Sequence, residues 1–266
     1  MTSDEQSDAE RLELLKRLRR EPPPLVPVSV VRREEVSPRM LRVTFEAAVD
    51  LEVAEPAASI RLLVPTPGTD ELVIPEWNGN EFLLPDGSRP ALRTFTPLRV
   101  GDGRVDIEVV RHPGGAVSEW AESVEPGDPA AISGPGSGFT VPTGVTCLIV
   151  LADETALPAV TQLIDVVGGD ARLVIHLEVV TSDAEIDIAV RPDDELTWHV
   201  TAAGEVPGGR LVEVVRAITE LDDDVHVWAA GEASAMHAVR THLFDTLGLG
   251  RTQATVRGYW KPARTP

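Results

Sequence analysis

Apolar and polar residues alternate, or form short apolar runs, throughout residues 25–142. The two-residue period predicts β-strands over residues 26–32, 40–45, 59–64 and 104–111, and turn sequences such as Pro67-Gly68 and Gly101-Asp102-Gly103 separate them. The first clear helical pattern comes only at residues 117–122. So many short strands with so little helix predict a closed antiparallel β-barrel in this part of the chain.

The period of the pattern changes near Pro142-Thr143-Gly144. Apolar runs predict strands over residues 145–152, 172–180, 195–200, 225–230 and 254–260. Helical periodicity between them predicts helices over residues 154–167, 211–221 and 234–247. Strands that alternate with helices indicate an open, mostly parallel, doubly wound α/β domain over residues 143–266.

Residues 1–24 form a separate segment. Residues 8–18 read as a short charged helix in which Leu12 and Leu15 share one face, with acids early and bases late, and Pro22-Pro23-Pro24 ends it. Two interpretations stay open: a frayed solvated tail, or a helix that docks on a partner subunit.

Charge and composition narrow the class of protein. The 266 residues carry a net charge of −19, and Lys16 and Lys261 are the two lysines, so nucleic acid and anionic membranes would be repelled. No run approaches the roughly 20 apolar residues of a membrane helix, and the first residues lack the pattern of a signal peptide. The single cysteine, Cys147, lies in an apolar run and is predicted to be buried. A cytoplasmic protein without a metal site is expected.

The first motif that could carry chemistry is Arg93-Thr94-Phe95-Thr96, which precedes Pro97 and is expected at a strand end. An arginine offers a forked donor to a phosphate, and Phe95, two residues on, points to the same face and can stack on a ring. Thr96 can exchange a hydrogen bond with the polar edge of that ring. The motif suits a flavin; the alternative is an ordinary strand with a surface arginine.

The second motif, from His112 to Ser118, ends a strand and opens the helix that carries Trp120. Gly114 and Gly115 let the backbone approach a phosphate, which free N–H groups and the helix dipole would hold. Ser118 could donate to the phosphate or cap the helix, and His112 could touch the cofactor or be structural.

Two further groups follow strands of the predicted parallel sheet, and a third lies in its last strand. Asp153-Glu154-Thr155-Ala156 and Gly231-Glu232-Ala233-Ser234 stand at carboxyl ends of strands, where such sheets bind ligands, although neither is a glycine-rich dinucleotide fingerprint. The acids could merely cap helices. Arg257-Gly258-Tyr259-Trp260-Lys261 places two aromatic rings and two bases near the chain end, where they could cover a flavin or complete a core.

In this order and spacing, the motifs resemble the siderophore-interacting protein family, a branch of the ferredoxin reductase-like flavoproteins. The similar stretches lie within residues 25–261: 28–43, 93–96, 112–120, 126–136, 153–159, 231–234 and 258–260. The resemblance implies a six-stranded antiparallel FAD-binding barrel followed by an α/β domain of the NAD(P)-binding type. It implies an FAD-dependent oxidoreductase that reduces ferric siderophores with electrons from NAD(P)H or reduced ferredoxin.

The resemblance also implies the cofactor-binding residues. Those expected at FAD or its electron donor are Arg93, Thr94, Phe95, Thr96, Val110, His112, Gly114, Gly115, Ala116, Val117, Ser118, Asp153, Thr155, Ala156, Glu232, Tyr259 and Trp260. Arg257 and Lys261 are expected to bind the substrate. No classical catalytic residue is expected, because the flavin carries the redox chemistry.

The chain departs from the family pattern at several positions. Phe95 stands where a tyrosine is usual, Pro113 follows His112 where a glycine is usual, and Lys261 stands where an arginine is common. These departures keep two alternatives open. One is a flavoprotein recruited to secondary-metabolite biosynthesis with another small substrate; the other is a non-enzymatic protein that binds a chelate.

Overall fold

The computed structural model describes residues 22–47, 51–167, 169, 171–202 and 204–262. The helix predicted over residues 8–18 lies outside the described residues. Two sheets dominate the fold, an antiparallel sheet followed by a parallel one, as predicted. The division of the chain at residues 142–144 stays a prediction.

The first half of the chain forms a curled antiparallel sheet of seven strands in the order β6-β3-β9-β1-β2-β8-β7. Its elements, with the separate hairpin β4–β5 and the helix α1, are β1 (Val26–Ser37), β2 (Met40–Ala47), β3 (Ile60–Leu63), β4 (Glu76–Trp77), β5 (Phe82–Leu83), β6 (Leu92–Phe95), β7 (Pro97–Gly101), β8 (Arg104–Val110), α1 (Ala116–Ser123) and β9 (Pro129–Ser133). Alternate residues of these strands, such as Val43, Phe45 and Ile107, point into one buried core.

The two edge strands of this sheet are consecutive in the chain. Only Thr96 separates β6, which pairs with β3, from β7, which pairs with β8. Residues 92–101 therefore act as one strand that passes from one edge of the sheet to the other, with Pro97 at the break. If β6 and β7 are taken as one strand, the sheet has six strands, the number predicted. The antiparallel fold is confirmed as a curled sheet, in which β6 and β7 are the two edges and do not pair with each other.

The second half forms a five-stranded sheet in the order β12-β11-β10-β13-β14, in which every neighbouring pair is parallel. Its elements are β10 (Cys147–Asp153), a 3₁₀ turn (Glu154–Ala156), α2 (Leu157–Val166), β11 (Arg172–Val179), a 3₁₀ turn (Ser182–Ala184), β12 (Glu195–Val200), α3 (Gly209–Ala217), β13 (Val225–Glu232), α4 (Ala233–Thr241), a π-helical turn (His242–Thr246) and β14 (Ala254–Trp260).

Helices cover both faces of this sheet, so the doubly wound fold is confirmed. Leu157, Val160 and Leu163 of α2 pack on one face, in a cluster that includes Leu148 and Trp228. Leu211 and Val215 of α3 join α4 in a second cluster on the other face. The i, i+3, i+4 spacing of these residues is what directs one stripe of each helix toward the sheet.

Side chains from both halves meet at their junction. The guanidinium of Arg39, between β1 and β2, donates to the Glu154 carboxylate at 2.5–3.1 Å. Gln162 of α2 donates to the Pro97 carbonyl at 2.6 Å and accepts from the Ala57 amide at 2.7 Å. Arg257 donates to the carbonyls of Ser137 and Gly138 at 3.2 and 2.6 Å. The α/β sheet is thus held against the barrel by polar contacts on several sides.

Three sequence expectations concern exposure and ligands. Every helix among the described residues is too short or too polar to span a lipid bilayer. Cys147, predicted to be buried, is half-buried because it is the first residue of β10. In the described ranges, no three side chains of His, Cys, Asp or Glu converge as a metal site.

Candidate functional site

The segment from Arg93 to Thr96 lies at the break between β6 and β7. The Arg93 side chain is exposed, and its Nη1 donates to the carbonyl of the preceding Leu92 at 2.8 Å. Phe95 is half-buried against the barrel core, and Thr94 is exposed. Thr96 is 5% exposed, because it lies between the two halves of the molecule. The guanidinium of Arg93 therefore keeps donors available for an anion.

The Thr96 hydroxyl meets the end of the α/β sheet. Its Oγ1 lies 3.5 Å from the phenolic oxygen of Tyr259 in β14. Burial raises the pKa of Tyr259, so the phenol is neutral near pH 7. This contact brings together two motifs that are 163 residues apart in the chain.

Loop 111–115 and α1 form the second predicted cofactor region. The Ser118 hydroxyl accepts from the His112 amide at 2.9 Å, which leaves its own hydrogen free to donate. Gly115 is the N-cap of α1, and no side chain caps this helix start. A Cβ on Gly115 would overlap the His112 ring, so the backbone lies flat against the imidazole. The uncapped first turn, which includes Ala116 and Val117, can present backbone N–H groups to an anion.

Glu119 and Val110 lie on either side of loop 111–115. The Glu119 carboxylate accepts from the Gly114 amide at 2.9 Å, so one acid already lies beside the helix start. Val110, at the end of β8, is half-buried against the core of the α/β sheet. Ser118 and Glu119 of α1 thus accept hydrogen bonds from loop amides, whereas Arg111 donates to the carbonyls of Arg39 and Pro38, between β1 and β2. Val110, which precedes the loop, packs on the other half of the molecule.

Asp153 and Trp260 connect the first and last strands of the α/β sheet. The indole Nε1 of Trp260 donates to Oδ2 of Asp153 at 2.7 Å, and the Thr155 amide and hydroxyl donate to Oδ1 at 3.0 and 2.5 Å. Burial raises the pKa of Asp153 to about 6, although these hydrogen bonds act to lower it. A Cβ on Gly231 would lie 2.6 Å from Oδ2, so only glycine leaves room for the carboxylate.

The other acidic residues at the carboxyl ends of β10 and β13 also have hydrogen-bond partners within the protein. Glu154 is bound by Arg39, and Ala156 is fully buried. Glu232 is 1% exposed, and its Oε2 accepts from the amides of Ser234 and Ala235 at 2.7 and 2.8 Å. Asp153 and Glu232 therefore cap the helical turns that follow them, whereas Glu154 binds the barrel through Arg39. A role of these residues at a cofactor stays a prediction.

The two predicted substrate-binding residues differ in their surroundings. Arg257 is engaged by the carbonyls of Ser137 and Gly138, whereas Lys261 is exposed. Arg257 therefore holds the segment that connects the two sheets, and its binding of a substrate stays a prediction.

Sequence reasoning gave no role to three residues that shape this region: Arg39, Gln162 and Glu178. Glu178 is the second-last residue of β11, and its carboxylate accepts from the amides of Gly208, Arg210 and Leu211 at the start of α3. The amides lie 30 to 33 residues further along the chain, beyond β12, so no local pattern indicates Glu178 as their partner. Arg39 and Gln162 act over more than 60 residues of sequence, and a single sequence carries no such signal.

The geometry fits a flavin dinucleotide along the barrel. Arg93 carries an available guanidinium, α1 begins without a side-chain cap, and the buried hydroxyls of Thr96 and Tyr259 meet at the junction. A pyrophosphate needs the first two features, and the polar edge of a ring needs the third. The residues present therefore suit FAD.

Comparisons with known proteins agree with this geometry. A family model described as the siderophore-interacting FAD-binding domain matches residues 29–139, and the siderophore-interacting protein model matches residues 146–263. A siderophore utilization protein from T. fusca has a crystal structure similar to this chain, with a TM-score of 0.80 and 28% identity over 92% of this chain and 95% of that one. Ferredoxin reductases share the same fold.

Several curated relatives carry functional names, among them IrtA and ViuB proteins. The mycobactin import ATP-binding/permease protein IrtA of Mycolicibacterium thermoresistibile is 30% identical over 81% of this chain, which spans 24% of that protein. The ferric vibriobactin reductase ViuB of Vibrio cholerae is 24% identical over 87% of both proteins. Since family models for both sheets match in the order that the fold presents, the chain belongs to the siderophore-interacting protein family.

Proposed function

We propose that this chain is an FAD-dependent reductase of ferric siderophores that acts in the cytoplasm. The observation that carries the proposal is the contact between Thr96 and Tyr259, which joins the end of the flavin motif to the aromatic end of the α/β sheet. The matches to both family models and the similarity to ViuB support the reaction class.

The barrel would hold the dinucleotide. Arg93 would bind the pyrophosphate through its guanidinium, and the amides at the start of α1, with the Ser118 hydroxyl, would donate to the same group. Phe95 would pack against the flavin ring, as an aromatic side chain without a hydroxyl can. His112 would set the shape of the loop, because its ring lies against Gly115.

The junction of the two sheets would hold the reactive end. Thr96 would exchange a hydrogen bond with the flavin edge, and the neutral phenol of Tyr259, 3.5 Å from the Thr96 hydroxyl, would lie beside the same edge. Trp260 is anchored by Asp153, so it fixes the end of β14 without itself needing to touch the ring. These side chains would orient the cofactor and exclude water from it.

When bound, FAD supplies an acceptor for two electrons that can leave one at a time toward Fe(III). Oxygen ligands hold Fe(II) more weakly than Fe(III), so reduction releases the metal from a chelate. The chain need supply no covalent chemistry, and no acid–base residue is required of it.

The test is the visible spectrum of the purified protein under anaerobic conditions. The protein, loaded with FAD, is reduced photochemically and mixed with a ferric siderophore in the presence of an Fe(II) indicator. Recovery of the oxidised flavin spectrum with formation of Fe(II) is expected. A reduced flavin that stays reduced in the presence of several ferric chelates would contradict the proposal and favour a flavoprotein recruited to another small molecule.

A further inference from the structure

The hairpin of β4 and β5 carries an apolar surface outside the core of the barrel. Leu72, Ile74, Trp77, Phe82 and Leu83 are half-buried or exposed, and Ile74 is 45% exposed. In the part of the chain that the structure describes, none of these five belongs to a buried cluster or packs against one. Apolar side chains gathered on one part of a protein surface usually mark a contact with another segment or molecule.

The two aromatic rings of the hairpin form a preformed surface. Trp77 pairs with Phe82 across the two strands, and their ring centroids lie 5.1 Å apart. The Asn78 side chain closes the turn, because its Oδ1 accepts from two amides of the turn at 2.9 Å. The Arg61 guanidinium of β3 lies 5.8 Å from the centre of the Phe82 ring and joins the hairpin to the barrel sheet. A segment that docks here would need no rearrangement of the hairpin.

Residues 22–24 lie on the same side of the barrel sheet as this hairpin. Ser133 of β9 pairs directly with Arg61 of β3, so the two side chains project from one face of the sheet. The Ser133 hydroxyl donates to the Pro23 carbonyl at 2.5 Å, and on the same face the Arg61 guanidinium reaches Phe82. The three residues from Arg20 to Pro23 can span at most about 11 Å. The segment that precedes Pro22 is therefore tethered beside the hairpin.

This segment and the hairpin carry opposite charges. Residues 11–20, which lie outside the described residues, contain five bases and one acid: Arg11, Lys16, Arg17, Arg19 and Arg20 against Glu13. Residues 70–86, which include the hairpin, contain five acids and no base. In a chain with a net charge of −19, a basic stretch of this kind is attracted to its acidic surroundings, and most strongly at low salt.

The apolar positions of the segment complement the rings of the hairpin. Three leucines follow one another at three-residue spacing: Leu12, Leu15 and Leu18. This spacing places them on one side of the helix that the sequence predicts. Such a helix could lay its leucines on Trp77 and Phe82 while its long basic side chains extend toward the acids around the rings, such as the exposed Glu76.

We infer that residues 11–20 form a helix that docks on the β4–β5 hairpin of its own chain and covers the rings of Trp77 and Phe82. The partner is the same chain because Pro23 is fixed beside the hairpin. A short tether gives an effective concentration on the order of 1 mM, so a contact with a Kd below this value keeps the segment docked. The inference goes beyond the proposed function, since it involves neither FAD nor a ferric chelate.

Hydrogen exchange of the full-length protein, followed by mass spectrometry, tests the contact. Leu12→Asp combined with Leu15→Asp removes the apolar stripe without altering either sheet. We expect the amides of residues 72–84 to exchange about fivefold faster or more in this variant, because the hairpin loses its cover. Thr2→Asp combined with Ser3→Asp adds the same two charges ahead of the predicted helix and should leave the exchange unchanged. Equal exchange in the stripe variant and the wild type, or equal acceleration in both variants, would overturn the inference.

The reverse measurement follows the amides of residues 11–20. Trp77→Ala removes the larger ring of the hairpin surface, and we expect these amides to exchange faster in that variant. Val166→Ala is the control, since Val166 is an apolar residue of α2 that is 53% exposed. If residues 11–20 exchange in the wild type as fast as an unstructured peptide, or if Trp77→Ala leaves their protection intact, the hairpin is not their docking site.

A photo-crosslink identifies the partner. Cys147, the single cysteine, is replaced in Cys147→Ser, and Leu15→Cys then carries a benzophenone label. Irradiation should join the label to residues 72–84 of the same chain, and a mixture of isotope-labelled and unlabelled protein distinguishes this link from one between chains. Glu13→Cys is the matched position, because it lies on the other side of the predicted helix and should give a lower yield. Links mainly between two chains would overturn docking within one chain and assign the hairpin to a second copy, and links mainly to another surface would overturn the hairpin as the site.

Discussion

The indole of Trp260 reaches across β13 to the carboxylate of Asp153, 2.7 Å away, and so ties the last strand of the parallel sheet to its first strand. The bond passes over Gly231, the one residue type that leaves space for the carboxylate. Burial of this group ties the stability of the α/β sheet to pH.

The folded protein holds the Asp153 proton more tightly than the unfolded chain does, because burial raises the pKa from 3.8 to about 6. Protonated Asp153 adds about 3 kcal/mol to the free energy of unfolding below about pH 4. This contribution is lost as the pH rises through the folded-state pKa of about 6. The free energy of unfolding in urea, measured from pH 4 to pH 7 for the wild type and for Asp153→Asn, checks this prediction. The wild type should lose stability relative to the variant as the pH rises; parallel curves would contradict the prediction.

Removal of the Arg93 guanidinium should weaken FAD binding. A charge-assisted contact to phosphate contributes about 1.5–3 kcal/mol, so Arg93→Ala is expected to raise the Kd for FAD by about 10- to 100-fold. Fluorescence titration of FAD into the apoprotein measures this. Arg99→Ala removes the same charge from an exposed position in β7 and should leave the Kd within about twofold. Equal losses of FAD affinity in the two variants would show that net charge alone, and not the position of Arg93, causes the effect.

A methyl group on Gly115 should distort loop 111–115. Gly115→Ala would push the His112 ring away, and a loss of FAD affinity is expected without loss of the barrel fold. The second change His112→Ala makes room for the methyl group and should restore part of the affinity. Gly209→Ala is the control, because no atom lies within 4 Å of a Cβ at that position. A loss that His112→Ala does not relieve would show that the overlap is not the cause.

The Glu119 carboxylate lies beside the same helix start and opposes an anion there. Glu119→Gln should tighten FAD binding by about 2- to 5-fold, the size expected for one charge at a helix N-terminus. Glu122→Gln removes an exposed acid further along α1 and should have a smaller effect. The comparison of the two Kd values at low salt and at high salt checks the electrostatic origin, since salt should reduce the gain.

The ion pair between Arg39 and Glu154 should couple the two sheets. Each single variant, Arg39→Met or Glu154→Gln, is expected to lower the free energy of unfolding by about 1.5–3 kcal/mol, and the double variant should lose less than the sum. The exposed pair Arg89–Glu81 serves as the control cycle and should contribute at most about 1 kcal/mol. Strict additivity at residues 39 and 154 would mean that the pair does not couple the halves.

Local patterns predicted much of the fold, because strand and helix periods depend on neighbouring residues. The strands at residues 195–200 and 254–260 begin and end as predicted. The strand predicted over residues 26–32 extends to Ser37, since Glu34 and Glu35 pair with β2 although they are polar. The helix predicted over residues 234–247 ends at Thr241 and continues as a π-helical turn, and the one predicted over 211–221 ends at Ala217.

The contacts at the site were harder to predict from the sequence than the strands and helices. The spacing of Arg93 and Phe95 follows from a strand period, but the contact of Thr96 with Tyr259 spans 163 residues and depends on how the two sheets pack. The short hairpin of β4 and β5 was not predicted, because two-residue strands have no period to detect. The acids of the α/β edge were identified, yet only the folded geometry shows that helix amides have already engaged them.

Thr96 is also the point at which residues 92–101 cross from one edge of the barrel sheet to the other. Pairing of β6 with β3 and of β7 with β8 curls the sheet, and the same two pairings fix the residues of the flavin motif, Arg93–Thr96. A chain in which only one of these pairings has formed would lack one side of that segment. The ratio of bound flavin to protein in a preparation would then report the fraction of molecules with the native topology, so flavin stoichiometry becomes a measure of folding yield.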